Sequence, residues 1–393
     1  MRPILLIAGT RPEGIKIAPV YLALRKANIP VSLCATSQHD TLLAEVLSIF
    51  NIVPDIDLKV MQSGQDLFYL TSELIIRMKA VLQQVQPSIV LVQGDTTSAM
   101  AAGLAAFYTH IPLGHIEAGL RTGDLQAPYP EEFNRCMLGK ISTYHFAPTA
   151  QAAAHLLQEG ISKDRVFCVG NTVVDALRIM REKIVQGHIT IAPAVRDFFT
   201  IAAVNHHKTV LFTMHRRESF GKSLRAMLTA LKKFALAHDD VQILYPYHPN
   251  PEVLAALESV DLAVCKNITL LPPIAYQDLV YALLNVTVVV TDSGGIQEET
   301  VSLGKRVIVL REKSERMEGV WHGLAVLMGY DAQRFVAFLE KELKEATTNG
   351  HGVETSNVYG DGFTAEKILR ILETHGIGQA FFAERSARIG API

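Results

Sequence analysis

Cysteine is scarce in this chain: Cys34, Cys136, Cys168 and Cys265 are the only four in 393 residues, and no two form a C-x-x-C pair. The pattern is that of buried free thiols in a reducing compartment, not of a disulfide framework. Charge is modest, with 19% charged residues, a formal net charge of −2 and no dense basic block. Nucleic acid is therefore excluded as the main partner. No stretch reaches the ~20 apolar residues of a membrane span. The start, MRPILLIAGT, has one arginine and a short apolar run ending in a turn. It lacks the long apolar core and small-residue cleavage site of a signal peptide. The protein is expected to be cytoplasmic, with no membrane partner. Two nucleotide fingerprints are also missing. The first turn, GTRPEGIKIAPV, is neither G-x-G-x-x-G nor G-x-x-x-x-G-K-[ST], which weighs against NAD and ATP chemistry.

What is present is a large apolar content, 49%, in a chain long enough for two domains. Short apolar runs alternate with amphipathic helical stretches. The first half offers strands at 4–10, 31–36, 88–95, 111–116, 144–149 and 166–171. The second repeats the layout at 209–218, 241–249, 268–274, 286–295, 306–312 and 324–329. Such alternation predicts parallel sheets covered on both faces. The fold class expected is α/β, with two Rossmann-like doubly wound domains facing across a cleft. Their bounds are expected at 1–172 and 173–362, with a helix around 363–375 completing the first. No repeat links the halves in sequence, nothing is low in complexity, and the tail after about residue 376 has no periodic pattern.

The first half is organised around Asp95 to Glu132. The run SIVLVQ delivers Asp95 to a strand's carboxyl end, and IPLGHI delivers Glu117 in the same way. Arg121, Asp124, Glu131 and Glu132 follow in a Gly- and Pro-punctuated loop. Open α/β sheets bind ligands outside the carboxyl ends of their strands, so consecutive strand ends bearing acids point to chemistry. Asp95 read alone is equally a helix cap. In the first turn, Arg11 and Lys16 lie beside a helix N-terminus that favours anions.

In the second half, TDSGGIQEETVSLGK turns a buried strand into a helix through Ser293, Gly294 and Gly295. Glycines there let a bulky ligand approach backbone N–H groups suited to phosphate. Glu299, a turn further on, is within reach of ribose hydroxyls. Asp292 and Glu298 are open to a structural reading. Upstream, TMHRRESFGKS sets His215, Arg216 and Arg217 at another strand end, with Glu218 expected to pair with one of the arginines. His248 of YPYHPNP ends a further strand, where a turn-structuring role and a functional one stand level.

Taken together, GTRPEGIK, GDTT, GHIEAGLRTGD, PEEFNR, HRRESFG, YPYHPNP, TDSGGIQEE, SERMEG and YGDG resemble the non-hydrolysing UDP-N-acetylglucosamine 2-epimerases, in order, to about residue 365. The resemblance implies the glycosyltransferase-B architecture, a homodimer, a UDP-sugar substrate, no redox cofactor and no metal. It nominates Asp95, Glu117 and Glu131 as the acid/base group and His215 as the phosphate or leaving-group partner. Ser293, Gly294, Gly295 and Glu299 would hold diphosphate and ribose, Arg316 would reach the nucleotide, and Arg11, Lys16 and Arg121 would serve the sugar side. The implied route expels UDP from C1 as the C2 proton is lost, leaving a glycal, and adds it back with a proton on the other face. The implied setting is precursor supply for surface polysaccharide.

Departures from the family pattern accompany the match. SERMEGVWHG has Met317, Gly319, Trp321 and His322 where relatives usually read ERPEAVE-AG, a loop shaped for a modified sugar being one reading. Gln38, His39 and Gln65 fit the second, activating UDP-sugar site of some relatives, but Asp40 and Thr41 replace residues usual there. The rivals are a hydrolysing epimerase, whose relatives usually read GDR where GTRPE stands here, a transferase of the same architecture, and a non-catalytic sensor.

Overall fold

The computed structural model describes residues 2–37, 40–62, 64–348 and 356–377. The chain divides into two compact units, Met1–Ala176 with Tyr359–Ile393, and Leu177–Val358. Unit 1 is built on seven strands: β1 (Ile4–Ala8), β2 (Val31–Ala35), β3 (Ile56–Asp57), β4 (Ile89–Gln93), β5 (Leu113–Ile116), β6 (Tyr144–Ala147) and β7 (Val166–Cys168). All pair in parallel, in the order β3-β2-β1-β4-β5-β6-β7. Strands β1, β4 and β5 are buried along their whole length, which is why they read as unbroken apolar runs. The strand order reverses between β1 and β4, and ligands of open sheets bind at such a switch point.

Unit 2 has six strands: β8 (Lys208–Thr213), β9 (Val241–Pro246), β10 (Ile268–Leu271), β11 (Val288–Thr291), β12 (Val307–Val309) and β13 (Ala325–Leu327). They too are parallel, in the order β10-β9-β8-β11-β12-β13, so the reversal falls between β8 and β11. Its core joins Val210, Phe212, Val290 and Ile308 of the sheet to Leu228 and Leu231 of the helix Lys222–Ala237 and to Phe335 and Leu339 of the helix Ala332–Thr348. Phe212 meets Tyr245 edge-on, with ring centroids 4.9 Å apart.

Each of the twelve expected runs contains a strand. The thirteenth, β3, was not expected: a two-residue edge strand in VPDIDLK is too short to show a period. Among the cysteines, Cys34 and Cys265 are buried, but Cys136 is half-buried and Cys168 exposed. Cys168 departs from expectation because β7 is an edge strand of its sheet among the described residues. No described helix is long and apolar enough to cross a membrane.

Candidate active site

In unit 1 the site starts with a close approach. A Cβ on Gly9 would lie 2.3 Å from Ser98 Oγ and 2.4 Å from Thr36 Oγ1, so only glycine lets β1 and its turn reach the start of the helix Thr97–Tyr108. Thr10 then caps the helix Arg11–Lys26 in a reciprocal capping box. The fully buried carboxylate of Glu13 accepts the N–H groups of Gly9 and Thr10 at 2.8 Å each, and Thr10 Oγ1 at 2.9 Å. Its other oxygen accepts Thr96 Oγ1 at 2.6 Å. Burial raises its pKa to about 7 against the pull of those hydrogen bonds. Glu13 therefore occupies the N–H groups of Gly9 and Thr10 just ahead of this helix.

Glu13 thus ties the first turn to the GDTT turn. There Gly94 has φ +72°, in the left-handed region, and Thr96 rather than Asp95 caps the next helix, accepting Ala99 N–H at 3.0 Å. Asp95 is left to present its carboxylate. Its Oδ2 receives Arg135 Nη2, and its carbonyl accepts Asn134 Nδ2 at 2.8 Å. Arg135 also pairs with Glu132 at 3.1 Å. Glu132 further accepts the N–H groups of Thr122 and Gly123 at 2.9 and 3.0 Å, which gives it a loop-fixing role. Glu131, half-buried, opens the helix Glu131–Ile141 that carries Asn134 and Arg135.

Glu117 follows β5 with φ +67°, a conformation uncommon for a residue bearing a Cβ and typical of functional sites. It is buried, and Lys16 Nζ lies 2.6 and 2.7 Å from its two oxygens. Asn171 Nδ2 donates to Oε1 at 3.1 Å and Gln93 Nε2 donates to Oε2. A buried carboxylate and ammonium are stable there only as a hydrogen-bonded pair. Between the acids, buried His115 sits on β5 with Nε2 2.7 Å from the Gly94 carbonyl, so that nitrogen carries the proton. Burial lowers its pKa to about 4, which keeps it neutral.

The switch point of unit 1 therefore gathers Lys16, Asp95 and Glu117, with Glu131 on the element that holds Asp95. Arg11, half-buried, is the first residue of its helix. Arg121 does not join them: its Nε and Nη2 are held by Glu159 at 2.6 and 3.0 Å. Gln65 Oε1 accepts Gln62 N–H at 3.0 Å, whereas Gln38 and His39 lie outside the described residues. Glu13, Gln93, Arg135 and Asn171 were missed. Glu13 alone had a local signal, the T-x-x-E capping pattern.

In unit 2, fully buried Asp292 follows β11, and its Oδ2 accepts the N–H groups of His215 and Arg216 at 2.7 Å each. Its Oδ1 lies 3.3 Å from His215 Nδ1. The imidazole stacks on His248, with centroids 5.9 Å apart. Arg216 pairs with Glu218 at 3.8 Å.

Ser293 N-caps the helix Gly294–Ser302 by position, its own N–H donating to Thr291 Oγ1 at 3.0 Å. The two glycines serve different ends. A Cβ on Gly294 would fall 2.5 Å from Arg316 Nη1, while one on Gly295 would meet nothing within 4 Å. Arg316 is fixed over that helix start by Glu298 at 2.8 Å and by Glu315. Buried Glu299 accepts the Tyr276 hydroxyl at 2.8 Å. Among the described residues, no group of three or more His, Cys, Asp or Glu is placed to hold a metal ion.

Two parallel-sheet α/β units, one with an acid cluster at its switch point and one with a glycine turn into a helix, define a glycosyltransferase-B-like protein. The family model for UDP-N-acetylglucosamine 2-epimerase matches residues 22–373. The UDP-N-acetylglucosamine 2-epimerase of Salmonella typhimurium is 42% identical over 375 residues, covering 95% of this chain and 99% of that one. Among solved structures, the UDP-GlcNAc 2-epimerase of Neisseria meningitidis bound to UDP-GlcNAc is similar with a TM-score of 0.87 and 38% identity, covering 95% of this chain and 100% of that one. An S. aureus protein solved with UDP, MnaA, gives 0.85 and 36%, covering 95% and 97%. The chain belongs to the UDP-N-acetylglucosamine 2-epimerase family, a family of isomerases.

Proposed function

We propose that the chain interconverts UDP-N-acetylglucosamine and UDP-N-acetylmannosamine without releasing the sugar. The observation that carries this reading is Glu117, an acid in a left-handed conformation, buried against Lys16 at the strand end next to Asp95. The C2 proton of an N-acetyl sugar is not adjacent to a carbonyl, so enolisation is closed to it. Elimination is open. A carboxylate takes the C2 proton, the C–H electron pair becomes the C1–C2 double bond, and the C1–O bond breaks with its electrons leaving on UDP. UDP then adds back to C1 of the glycal while an acid gives C2 a proton on the opposite face.

Asp95, Glu117 and Glu131 supply the proton-transfer groups and stabilise positive charge developing on the ring. In unit 2, His215, Arg316 and the start of the helix Gly294–Ser302 stabilise the negative charge developing on the diphosphate. Gly295 is the open point of that turn, and Glu299 receives the ribose. Arg11 completes the sugar side in this reading. Support also comes from the relative bound to UDP-GlcNAc, which is similar over its whole length. The same reading makes the enzyme a cytoplasmic homodimer that feeds surface polysaccharide synthesis. Gln38, His39 and Gln65 are its candidate activator site.

Incubation with UDP-N-acetylglucosamine in D₂O, followed by NMR, tests the proposal. Both C2 epimers are expected, deuterated at C2 and still joined to UDP. Free N-acetylmannosamine as the main product would mark a hydrolysing enzyme. No exchange in the absence of an acceptor would mark a transferase.

A further inference from the structure

Asn171 ends the segment VFCVGN, which carries no acid or base and which neither the sequence motifs nor the reaction above uses. It is nonetheless buried, with its backbone N–H and both ends of its side-chain amide held. Its backbone N–H donates to the Tyr359 carbonyl at 2.7 Å. Its Oδ1 accepts Val173 N–H at 3.1 Å, which leaves Nδ2 as the end that meets Glu117 Oε1 at 3.1 Å. Lys16 supplies the charge that balances Glu117, but a flexible ammonium touching both oxygens does not set the plane of a carboxylate. Two fixed amides, Asn171 on Oε1 and Gln93 on Oε2, do.

We infer that Asn171 is a positioning residue for the epimerisation, holding the Glu117 carboxylate in the orientation in which it acts on the sugar. The inference rests on the reaction proposed above. It adds that this orientation is set by a neutral donor from outside the acid-bearing strands. Glu117 needs such a hold because its own backbone is in a sparsely populated conformation that only its surroundings maintain.

Asn171→Asp separates positioning from folding. Aspartate keeps the acceptor for Val173 N–H and is as good a helix-start residue as asparagine. It removes the donor and turns a second carboxylate on Glu117. We expect kcat for C2 exchange to fall roughly hundredfold, the scale of a misplaced catalytic group. KM for the UDP-sugar and Kd for UDP should stay within about threefold, because nucleotide binding lies elsewhere. Asn171→Ser, whose hydroxyl is too short to reach Glu117, should show the same split if the aspartate variant folds poorly. Added to Glu117→Gln, either change should cost little further activity, since both act through one group.

A purely structural Asn171 would leave the aspartate variant near wild-type kcat, or make its loss multiply with that of Glu117→Gln; either result overturns the inference. Wild type, Asn171→Asp, Glu117→Gln and their double variant, compared by thermal unfolding, read the contact whatever the reaction. Asn171→Asp should lower the midpoint in the wild-type background and lower it less beside Glu117→Gln. Equal shifts in both backgrounds would also overturn the inference, whereas wild-type enzyme without C2 exchange would overturn the reaction reading alone.

Discussion

His215 and Asp292 stand in a fixed relation in which Nδ1 of the imidazole lies 3.3 Å from one carboxylate oxygen and the histidine's own N–H donates to the other at 2.7 Å. Asp292 is fully buried at the end of β11 and His215 is partly exposed beyond β8, so the acid orients the base across the switch point of unit 2. A carboxylate beside Nδ1 biases the ring towards the tautomer that turns Nε2 outward as an acceptor. Asp292→Asn should keep the loop fold but weaken that bias, lowering kcat by about 10²-fold or more. Steady-state kinetics against UDP titration by calorimetry checks it, with UDP affinity expected to change little.

Lys16 and Glu117 form a buried pair drawn from positions 101 apart in sequence. Lys16→Met should cost about 3–5 kcal/mol, because it leaves a buried carboxylate without its counter-charge. Adding Glu117→Gln should recover much of that stability and none of the activity. Chemical denaturation of the two variants beside the wild type is the measurement.

Glu13 makes stability depend on pH. Burial raises its folded pKa from the ordinary 4.5 to about 7, so between those values the folded protein holds a proton that the unfolded chain has released. Stability from this group is complete below about 4.5 and is lost as pH rises towards 7, by roughly 3 kcal/mol in all. Glu13→Gln should flatten the fall in unfolding midpoint across that window. A profile unchanged by the substitution would place the dependence on another group.

Gly294 and Gly295 should respond differently to alanine. Gly294→Ala collides with the Arg316 guanidinium at 2.5 Å, so it should disturb the loop and weaken UDP binding by displacing that cation. Gly295→Ala meets nothing within 4 Å among the described residues, so the fold should stay intact. UDP titration is expected to weaken for Gly295→Ala as well, by ligand contact alone. Unfolding midpoints set beside the titrations separate the two causes.

The sequence made legible what depends on neighbours along the chain. Buried runs marked β1, β4 and β11 because both faces of a parallel sheet are covered, and the acids at the ends of β4 and β5 followed from the same runs. The edge strand β3 escaped because two residues carry no period. The partners of the acids escaped for another reason. Arg135 reaches Asp95 over 40 positions and Asn171 reaches Glu117 over 54, and no local pattern records such pairings. Arg121 shows the converse: it lies in the acid-rich loop yet turns to Glu159, 38 residues on.

Cleavage and re-formation of the C1–O bond under the influence of the unit 1 carboxylates is the claim on which the proposed chemistry stands. UDP-N-acetylglucosamine carrying ¹⁸O in the bridge between C1 and the β-phosphorus reads it directly by ³¹P NMR. With the wild-type enzyme the label should scramble into the non-bridging β-phosphate oxygens, and Glu117→Gln should suppress the scrambling. Epimerisation with the label retained wholly in the bridge would contradict it.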